Sequence, residues 1–179
     1  MGVDIEGTRR ITAVKSEQDS FEALFKAEYA RVAGIANRVL ADAQEAEDVA
    51  QEVFIDFHRL HSAGSPYAAP WLYRAAAHTA LNRVRGRRRR QRRELAQSVD
   101  EGSLAVDPQR VVEVNEDRLR VRQALARLPA RPAAVLVLRS SGLSYSEIAE
   151  ALGVRIGQIG TLLRRAEAAL RKEVNRGTP

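Results

Sequence analysis

The chain has 179 residues, of which 45% are hydrophobic and 29% charged, and its net charge is +6. This apolar content excludes a wholly disordered chain, and the absence of cysteine excludes a disulfide framework and a thiolate metal site. The longest apolar runs, such as 133–138, are too short to span a bilayer, and residues 1–20 lack the apolar segment of a signal peptide. We therefore expect a cytoplasmic protein without membrane insertion, whose positive charge favours an anionic partner such as nucleic acid.

The first half of the chain predicts three helices. Residues 1–17 predict a mobile tail, and Ser20 is the expected N-cap of a helix that starts at Phe21. A second helix follows Asp42, with Glu45 three residues later as in a capping box, and its apolar positions run from Ala46 to Leu60. The Gly-, Ser- and Pro-containing stretch 61–70 is a loop, and a third helix begins near Pro70 and runs into the arginines near residue 90.

The second half predicts four more helices after a linker. Residues 94–110 lose the helical period and carry Gly, Ser, Pro and acidic residues, which is typical of a linker. Helical period returns over 111–128, and further helices are expected after Pro132, over 144–152 and over 156–174. Neither a pair of strands nor an internal repeat is visible. The predicted fold is all-α, with two small helical domains at 18–93 and 111–176 joined by a flexible linker.

The segment "SYSEIAEALGVRIGQIGTLLRR" (144–165) has the spacing of a helix-turn-helix. Small Ala149 allows two helices to cross closely, Gly153 can adopt the positive φ of a tight turn, and Ile159 packs the second helix on the first. Ser144 and Glu147 form a capping box at the start of the first helix. A simple helical hairpin inside a core is the alternative, and we favour DNA binding.

The second helix of this motif has an apolar and a polar face. We expect a core face made of Ile156, Ile159, Leu162, Leu163, Ala166 and Leu170. Gly157 and Gly160 lie on the opposite face, although glycine costs roughly 1 kcal/mol relative to alanine in a helix interior. Gly157 belongs to the first turn, where this cost is small. For Gly160, close approach of bare backbone to DNA and chance occurrence remain equally open.

Asp48, Glu52 and Asp56 form an acidic stripe on the second helix, with Gln51 beside them. No further ligand cluster accompanies this stripe, so a solvated helix face is the simplest interpretation. His58 and His61 lack a third ligand, and we predict no metal site and no cofactor. Nucleophile elbows, Walker loops and HExxH motifs are absent from the sequence, so we expect no enzymatic activity.

The third helix has the opposite charge. Residues 57–93 contain no Asp or Glu but hold ten arginines and all three histidines. A basic face with an aromatic residue and an amide suits phosphates and unstacked bases, whereas a solvated basic helix end would explain only the arginines from 87 to 93. The residues of this face are Trp71, Arg74, His78, Asn82 and Arg85.

Three segments in this order resemble bacterial RNA polymerase sigma factors of the extracytoplasmic-function (ECF) class. "AEDVAQEVFIDFH" (46–58) resembles region 2.2, "WLYRAAAHTALNRVRGRRRR" (71–90) resembles regions 2.3 to 2.4, and 138–173 resembles region 4.2. The resemblance covers about 20–174. It implies sigma region 2 at 18–93 and sigma region 4 at 111–176, and the short linker in place of region 3 is typical of the ECF class.

The resemblance also assigns roles to individual residues. Asp48, Gln51 and Glu52 would bind the coiled coil of the largest subunit of core RNA polymerase, which replaces the solvated-face interpretation. The loop 62–69 would hold a flipped base, and Trp71 is either a melting wedge or core packing. The predicted minus-ten surface contains Trp71, Arg74, His78, Thr79, Asn82 and Arg85. The predicted minus-thirty-five surface contains Arg139, Ser144, Tyr145, Arg155, Gln158, Gly160, Thr161, Arg164 and Arg165.

The sequence departs from the family pattern at a few positions. Gly160 stands where Lys or Arg is common, Leu162 where Arg is common, and Asn82 where Asp is frequent. The stretch "LRSSGLSY" is one residue short of the usual spacing. These departures predict either an unusual sequence preference at the minus-thirty-five element or weaker binding to that element.

The function implied by the resemblance is promoter recognition, promoter melting and transcription initiation. The expected partners are core RNA polymerase, through its beta and beta-prime subunits, and promoter DNA, with a nucleoid-associated location. The sequence leaves open whether an anti-sigma factor is a further partner. The alternative is a stand-alone helix-turn-helix regulator that binds duplex DNA without polymerase.

Overall fold

The computed structural model describes residues 5–101 and 116–176 of the chain. Within these ranges the regular structure is entirely α-helical, which confirms the predicted fold class. The helices are α1 (Ile5–Leu40), α2 (Ala43–Leu60), α3 (Ala68–Glu101), α4 (Glu116–Arg127), α5 (Ala130–Ser140), α6 (Tyr145–Leu152) and α7 (Ile156–Asn175). We call α1–α3 the N-terminal lobe and α4–α7 the C-terminal lobe.

Helix α1 begins earlier than predicted. It includes residues 5–17, where we expected a mobile tail, and Ser20 is not its N-cap. The Ser20 hydroxyl instead donates to the carbonyl of Ser16 within the helix, at 2.7 Å. Residues 8–20 contain neither proline nor glycine, so nothing in this segment opposes the α-helical conformation.

Helix α2 follows α1 across a sharp turn at Ala41, whose φ is 51°. The N-cap is Asp42, as predicted, because its Oδ1 accepts a hydrogen bond from the Glu45 amide at 3.0 Å. The expected apolar positions are buried with one exception, since Leu60 in the last turn is exposed.

Helix α3 is longer than the sequence predicted. It begins two residues before Pro70, and it ends at Glu101, so residues 94–101 are helical rather than part of a linker. The remainder of the expected linker, 102–110, and the first part of the expected second domain, 111–115, lie outside the described residues. The domain boundaries given above therefore stay predictions.

The three helices of the N-terminal lobe pack against one another around a core of large side chains. Ile35 of α1, Phe54 and Phe57 of α2, and Leu72 of α3 are all almost completely buried. Burying a side chain of this size stabilises a fold by roughly 1.5–3 kcal/mol. This core holds α2 and α3 against each other.

In the C-terminal lobe, α6 and α7 form the predicted helix-turn-helix. Gly153 ends α6 with φ 62°, in the left-handed region that the turn requires. Ala149 and Ile159 are buried at the contact between the two helices, as expected. Ile156 was wrongly placed on the core face, because it is the first residue of α7 and its side chain is 56% exposed.

The two lobes also pack against each other. Helix α3 contacts α4, α5 and α6, and α1 contacts α5. The buried side chains of both lobes belong to one connected hydrophobic cluster, which includes Leu81 of α3 and Leu138 of α5. The sequence had predicted two helical units but no contact between them.

Candidate functional site

The acidic face of α2 is open to solvent. Asp48, Gln51 and Glu52 are all exposed, and Ile55 is an exposed apolar residue one turn further along. The carboxylate of Glu52 is held by Arg83 of α3 at 2.7 Å, in an ion pair that leaves both side chains partly accessible. The three predicted docking residues therefore share one surface, which is negatively charged with an apolar neighbour and suits a basic partner.

Two of the arginines in α3 are engaged with α2. Besides the pair between Arg83 and Glu52, Arg87 contacts Glu45 at 2.7 Å. Sequence analysis had grouped Arg87 with the other arginines near the end of the basic run. Arg87, Arg89 and Arg90 are all exposed, but the guanidinium of Arg87 is already paired, so Arg89 and Arg90 are better placed to meet phosphates.

The predicted minus-ten residues lie on one side of α3 but differ in accessibility. Arg74 and Asn82 are exposed, whereas His78, Thr79 and Arg85 are half-buried. Burial, together with the charges of Arg74 and Arg85, lowers the pKa of His78 below its usual value. His78 is therefore neutral at pH 7 and offers hydrogen bonding or stacking rather than a charge.

Trp71 belongs to an aromatic cluster at the start of α3. Its ring lies 5.5 Å from that of Phe57 and 5.0 Å from that of His61, between ring centroids. Tyr67, from the loop before α3, packs edge-on against His61 and is exposed. These contacts support the packing role that the sequence had left open for Trp71, and they place exposed aromatic surface beside the loop 62–69.

The predicted capping box is present at the start of α6, and its glutamate also takes part in an ion pair. Ser144 Oγ accepts a hydrogen bond from the Glu147 amide, and the Ser144 amide donates to Glu147 Oε2 at 2.7 Å. The Ser144 hydroxyl also donates to Glu147 Oε2 at 2.7 Å. The two bonds that the Ser144 amide and hydroxyl donate to the carboxylate are the main cause of a lowered Glu147 pKa. The ionised carboxylate also forms an ion pair with Arg31 of α1, since Glu147 Oε1 lies 2.7 Å from Arg31 Nη2.

Tyr145 is exposed and lies against Gly160 of α7, the second helix of the helix-turn-helix. A Cβ atom built on Gly160 would lie 3.9 Å from Tyr145 Cε2, which is an ordinary van der Waals distance. Nothing lies within 4 Å of the corresponding position on Gly157. The open side of Gly160 is thus partly covered by Tyr145.

The remaining predicted minus-thirty-five residues lie on the outer surface of the C-terminal lobe. Arg139, Arg155, Gln158, Thr161, Arg164 and Arg165 are all exposed. The Gln158 side-chain oxygen accepts a hydrogen bond from the Arg155 amide at 3.1 Å, so Gln158 also caps α7. Its amide nitrogen remains available as a donor.

Sequence analysis missed the polar contacts between elements. It assigned Glu147 and Glu45 to capping boxes alone and gave no role to Arg31 or Arg83. The pairing of these residues depends on which helices become neighbours, and the local pattern contains no signal for it.

Within the two described ranges, no group of three or more His, Cys, Asp or Glu side chains is arranged to hold a metal ion. No helix in the same part of the chain is long and apolar enough to cross a membrane.

Comparison with known proteins identifies the two parts of the chain. The family model described as Sigma-70 region 2 matches residues 24–90, and the one described as Sigma-70, region 4 matches residues 118–170. The chain is 32% identical over 169 residues to the RNA polymerase sigma-H factor of Pseudomonas aeruginosa, covering 88% of each chain. It is 29% identical over 185 residues to the ECF RNA polymerase sigma factor SigW of Bacillus subtilis, covering 93% of this chain and 95% of SigW.

Among solved structures, the fold is similar to that of CnrH, determined in complex with the cytosolic domain of CnrY. The TM-score is 0.55 at 19% identity, over 94% of this chain and 96% of CnrH. The acidic face of α2, the basic face of α3 and the helix-turn-helix of α6 and α7 lie within the segments that match sigma regions 2 and 4. The chain belongs to the sigma-70 family and, within it, to the extracytoplasmic-function class of RNA polymerase sigma factors.

Proposed function

We propose that this sigma factor uses three separate surfaces to start transcription. Asp48, Gln51 and Glu52 on α2 bind the beta-prime coiled coil of core RNA polymerase, and the outer face of α6 and α7 binds duplex DNA at the minus-thirty-five element. The basic side of α3 takes the melted minus-ten strand. The observation that carries this proposal is the presence, in one chain, of an exposed acidic helix face and a helix-turn-helix with an outward polar surface.

Each surface has the chemistry that its role requires. Exposed arginines such as Arg89 and Arg90 suit phosphate contacts, which supply affinity without sequence preference. Neutral His78 and the amide of Asn82 suit the edges of unpaired bases. Capturing such bases offsets the cost of unpairing them, which is of the order of a few kcal/mol for each base.

The chain itself performs no bond-making step in this mechanism. It positions core polymerase, which carries the catalytic site, on the promoter. Within each surface, we assign to the individual residues the roles that the sequence predicted for them. The exposure of Asp48 and Gln51 supports their assignment to the surface that binds core polymerase.

Run-off transcription with purified core polymerase tests the proposal. The template is a promoter selected from a randomised duplex library by the complex of this chain with core polymerase. We expect a defined transcript with the chain present and none with core polymerase alone. A stand-alone regulator would instead bind duplex DNA without core polymerase and would not produce a defined start, which would contradict the proposal.

Charge reversal on α2 tests the docking surface. Asp48→Lys combined with Gln51→Lys should weaken binding to core polymerase at least about tenfold, which corresponds to about 1.4 kcal/mol. We leave Glu52 unchanged because it pairs with Arg83. The matched control is Gln18→Lys combined with Asp19→Lys, which makes the same charge change at exposed positions on α1 outside the predicted docking set. Equal affinity of the double variant and the control would remove these residues from the docking surface.

A further inference from the structure

An open cavity of about 890 Å³, here called the inter-lobe cavity, lies between the two lobes. One side of its wall comes from residues 37–43, at the end of α1 and the start of α2, and the other side comes from α4, α5 and α7. Cavities that hold small organic ligands typically measure about 300–1,000 Å³, so this one is large enough for such a molecule. Among the described residues that form the wall, none belongs to the predicted docking or DNA-binding sets.

Most of the wall of the inter-lobe cavity is apolar. Val121 and Leu125 of α4, Leu136 of α5 and Leu170 of α7 all line it. The packing of the fold covers these side chains only in part, because Val121 is 38% exposed and the three leucines are half-buried. Removing such apolar surface from water is favourable, so the wall suits a ligand with an apolar body.

Three arginines and one aspartate are the charged residues in this wall. Arg118 and Arg122 are four residues apart on α4, and Arg38 comes from the last turn of α1 in the other lobe. The aspartate, Asp117, lies 3.9 Å from Arg120 and so already has a cation beside it. Because like charges four residues apart on a helix repel each other, an anion beside Arg118 and Arg122 would relieve an unfavourable contact. The wall therefore combines apolar surface with positive charge.

The three arginines of the cavity wall have no hydrogen-bond or ion-pair partner among the residues that the structure describes. For Arg122 this is unusual, because its side chain is half-buried. Arg31, Arg83 and Arg127 are also half-buried, and each of them pairs with a carboxylate. Since taking a charge out of water costs free energy unless the charge is paired, an acidic group of a ligand would supply the partner that Arg122 lacks.

We propose that the inter-lobe cavity binds a small amphipathic anion, a molecule with an apolar body and one acidic group such as a carboxylate or a sulfonate. The apolar body lies against Val121, Leu125 and Leu136, and the acidic group is held by Arg38 and Arg122 through charge-assisted hydrogen bonds. Apolar lining and unpaired cations in one wall are complementary to such a molecule, whereas a purely apolar or a purely ionic ligand would use only one of them. The site uses none of the three surfaces of the proposed function and stands independently of it.

Two fluorescent probes test the ligand class on the full chain. Anilinonaphthalene sulfonate has an aromatic body and one sulfonate, and its emission increases when it leaves water. Phenylnaphthylamine has the same aromatic body but no acidic group. We expect the sulfonate to bind saturably, with one molecule for each chain, and the neutral compound to bind more weakly, because it cannot pair with the arginines. Decanoate, an aliphatic carboxylate, should displace the sulfonate.

Variants of the wall separate the contribution of charge from that of apolar contact. Arg38→Gln combined with Arg122→Gln should lower affinity for the sulfonate about tenfold, which corresponds to about 1.4 kcal/mol, and should change affinity for the neutral compound little. The matched control is Arg59→Gln combined with Arg131→Gln, which removes the same charge at exposed positions outside the wall and should bind like the parent. Val121→Gln makes the wall less apolar and should weaken binding of both compounds.

A thiol in the wall shows where the probe binds. The chain contains no cysteine, so Ser140→Cys places one thiol at an exposed position in the cavity wall. Saturating anilinonaphthalene sulfonate should slow alkylation of this thiol by iodoacetamide several-fold. Ser146→Cys is the control, because Ser146 is exposed on α6 outside the wall, and its alkylation should proceed at the same rate with and without the probe.

The proposal is wrong if the arginine variant and its control bind the sulfonate equally, or if the probe leaves the thiol at position 140 as reactive as before. Sedimentation velocity adds a third test, since a dimer of the parent that Val121→Gln dissociates would mean that a second copy of the chain covers the wall. Circular dichroism checks that each variant is folded. If the double arginine variant is not, the thiol protection and the comparison of the two probes, both made with the arginines in place, decide the matter.

Discussion

Arg139 lies over the ring of Tyr145, with its guanidinium carbon 5.5 Å from the ring centroid. Arg139 Nη1 also donates to the carbonyl of Leu143 at 3.1 Å, so the guanidinium is held from two sides at the turn between α5 and α6. A cation on an exposed aromatic face gains roughly 0.5–1 kcal/mol. Tyr145 therefore orients Arg139, which belongs to the proposed minus-thirty-five surface, and we expect Arg139 to contact a phosphate of the duplex.

Removing the aromatic ring of Tyr145 should weaken promoter binding, because Arg139 is then less well positioned. Tyr145→Ala is expected to reduce the affinity of the polymerase complex for its selected promoter about two- to fivefold, the equivalent of the cation–ring energy. Tyr145→Phe keeps the ring and is the matched control, with affinity close to that of the parent. The measurement is a set of binding curves at one salt concentration.

A double-mutant cycle shows whether Tyr145 acts through Arg139. If it does, Tyr145→Ala should cost little further affinity in an Arg139→Ala background. Fully additive losses would mean that the two residues contribute independently, and Tyr145 would then be a direct DNA contact rather than a positioning residue.

Gly160→Ala should stabilise the protein without disturbing its neighbours. The added methyl group would meet Tyr145 at the ordinary distance of 3.9 Å, and alanine is favoured over glycine in a helix by roughly 0.5–1 kcal/mol. Thermal unfolding of parent and variant measures this gain. Gly160→Lys should in addition raise affinity for a scrambled duplex through a new phosphate contact. If bare backbone approaches the DNA at this position, the lysine side chain obstructs that approach, and affinity for the selected promoter should rise less.

Two outcomes would change this view of Gly160. Weaker promoter binding by Gly160→Ala, in spite of higher stability, would show that bare backbone approaches the DNA. An unchanged ratio of selected to scrambled affinity in both variants would show that Gly160 has no part in recognition.

The features that the sequence predicted well depend on residues close together in the chain. The capping box of Ser144 and Glu147, the turn at Gly153 and the N-cap Asp42 each involve residues within one turn of one another, and all three are present. The start of α1 was missed because a potential cap, Ser20, was given more weight than the absence of any helix breaker before it.

Contacts between the lobes could not be predicted in the same way. Arg31 and Glu147 are far apart in sequence, and their meeting depends on how α5 and α6 pack on α1 and α3. One signal was present nonetheless. Leu81 is an apolar residue on the side of α3 opposite Leu72, and a buried position there requires a second partner for the helix.

The arginines of α3 should differ in their contribution to DNA binding. Arg89 and Arg90 are exposed, whereas Arg87 is paired with Glu45 at 2.7 Å. For the polymerase complex on its promoter, loss of one phosphate contact lowers the slope of log affinity against log salt by about 0.7 on single strands and about 0.9 on duplex. We expect that reduction for Arg89→Gln and for Arg90→Gln, and a smaller one for Arg87→Gln. Equal reductions in all three would show that the pair with Glu45 opens when DNA binds.

The titration of His78 should report the burial of its imidazole and the charges beside it. Its pKa is lowered chiefly by burial, with the charges of Arg74 and Arg85 adding to the effect. A neutral buried histidine contributes stability at pH values above its unfolded pKa of about 6.5, and this contribution is lost as the pH falls through the lower pKa of the folded state. We therefore expect an NMR pKa for His78 below 6.5 in the parent, the value from which it is shifted, and a rise toward that value in Arg85→Gln, which removes one of the two charges that lower it. His78→Gln identifies the resonance. The same His78 pKa in parent and variant would mean that the charge of Arg85 has no part in the shift.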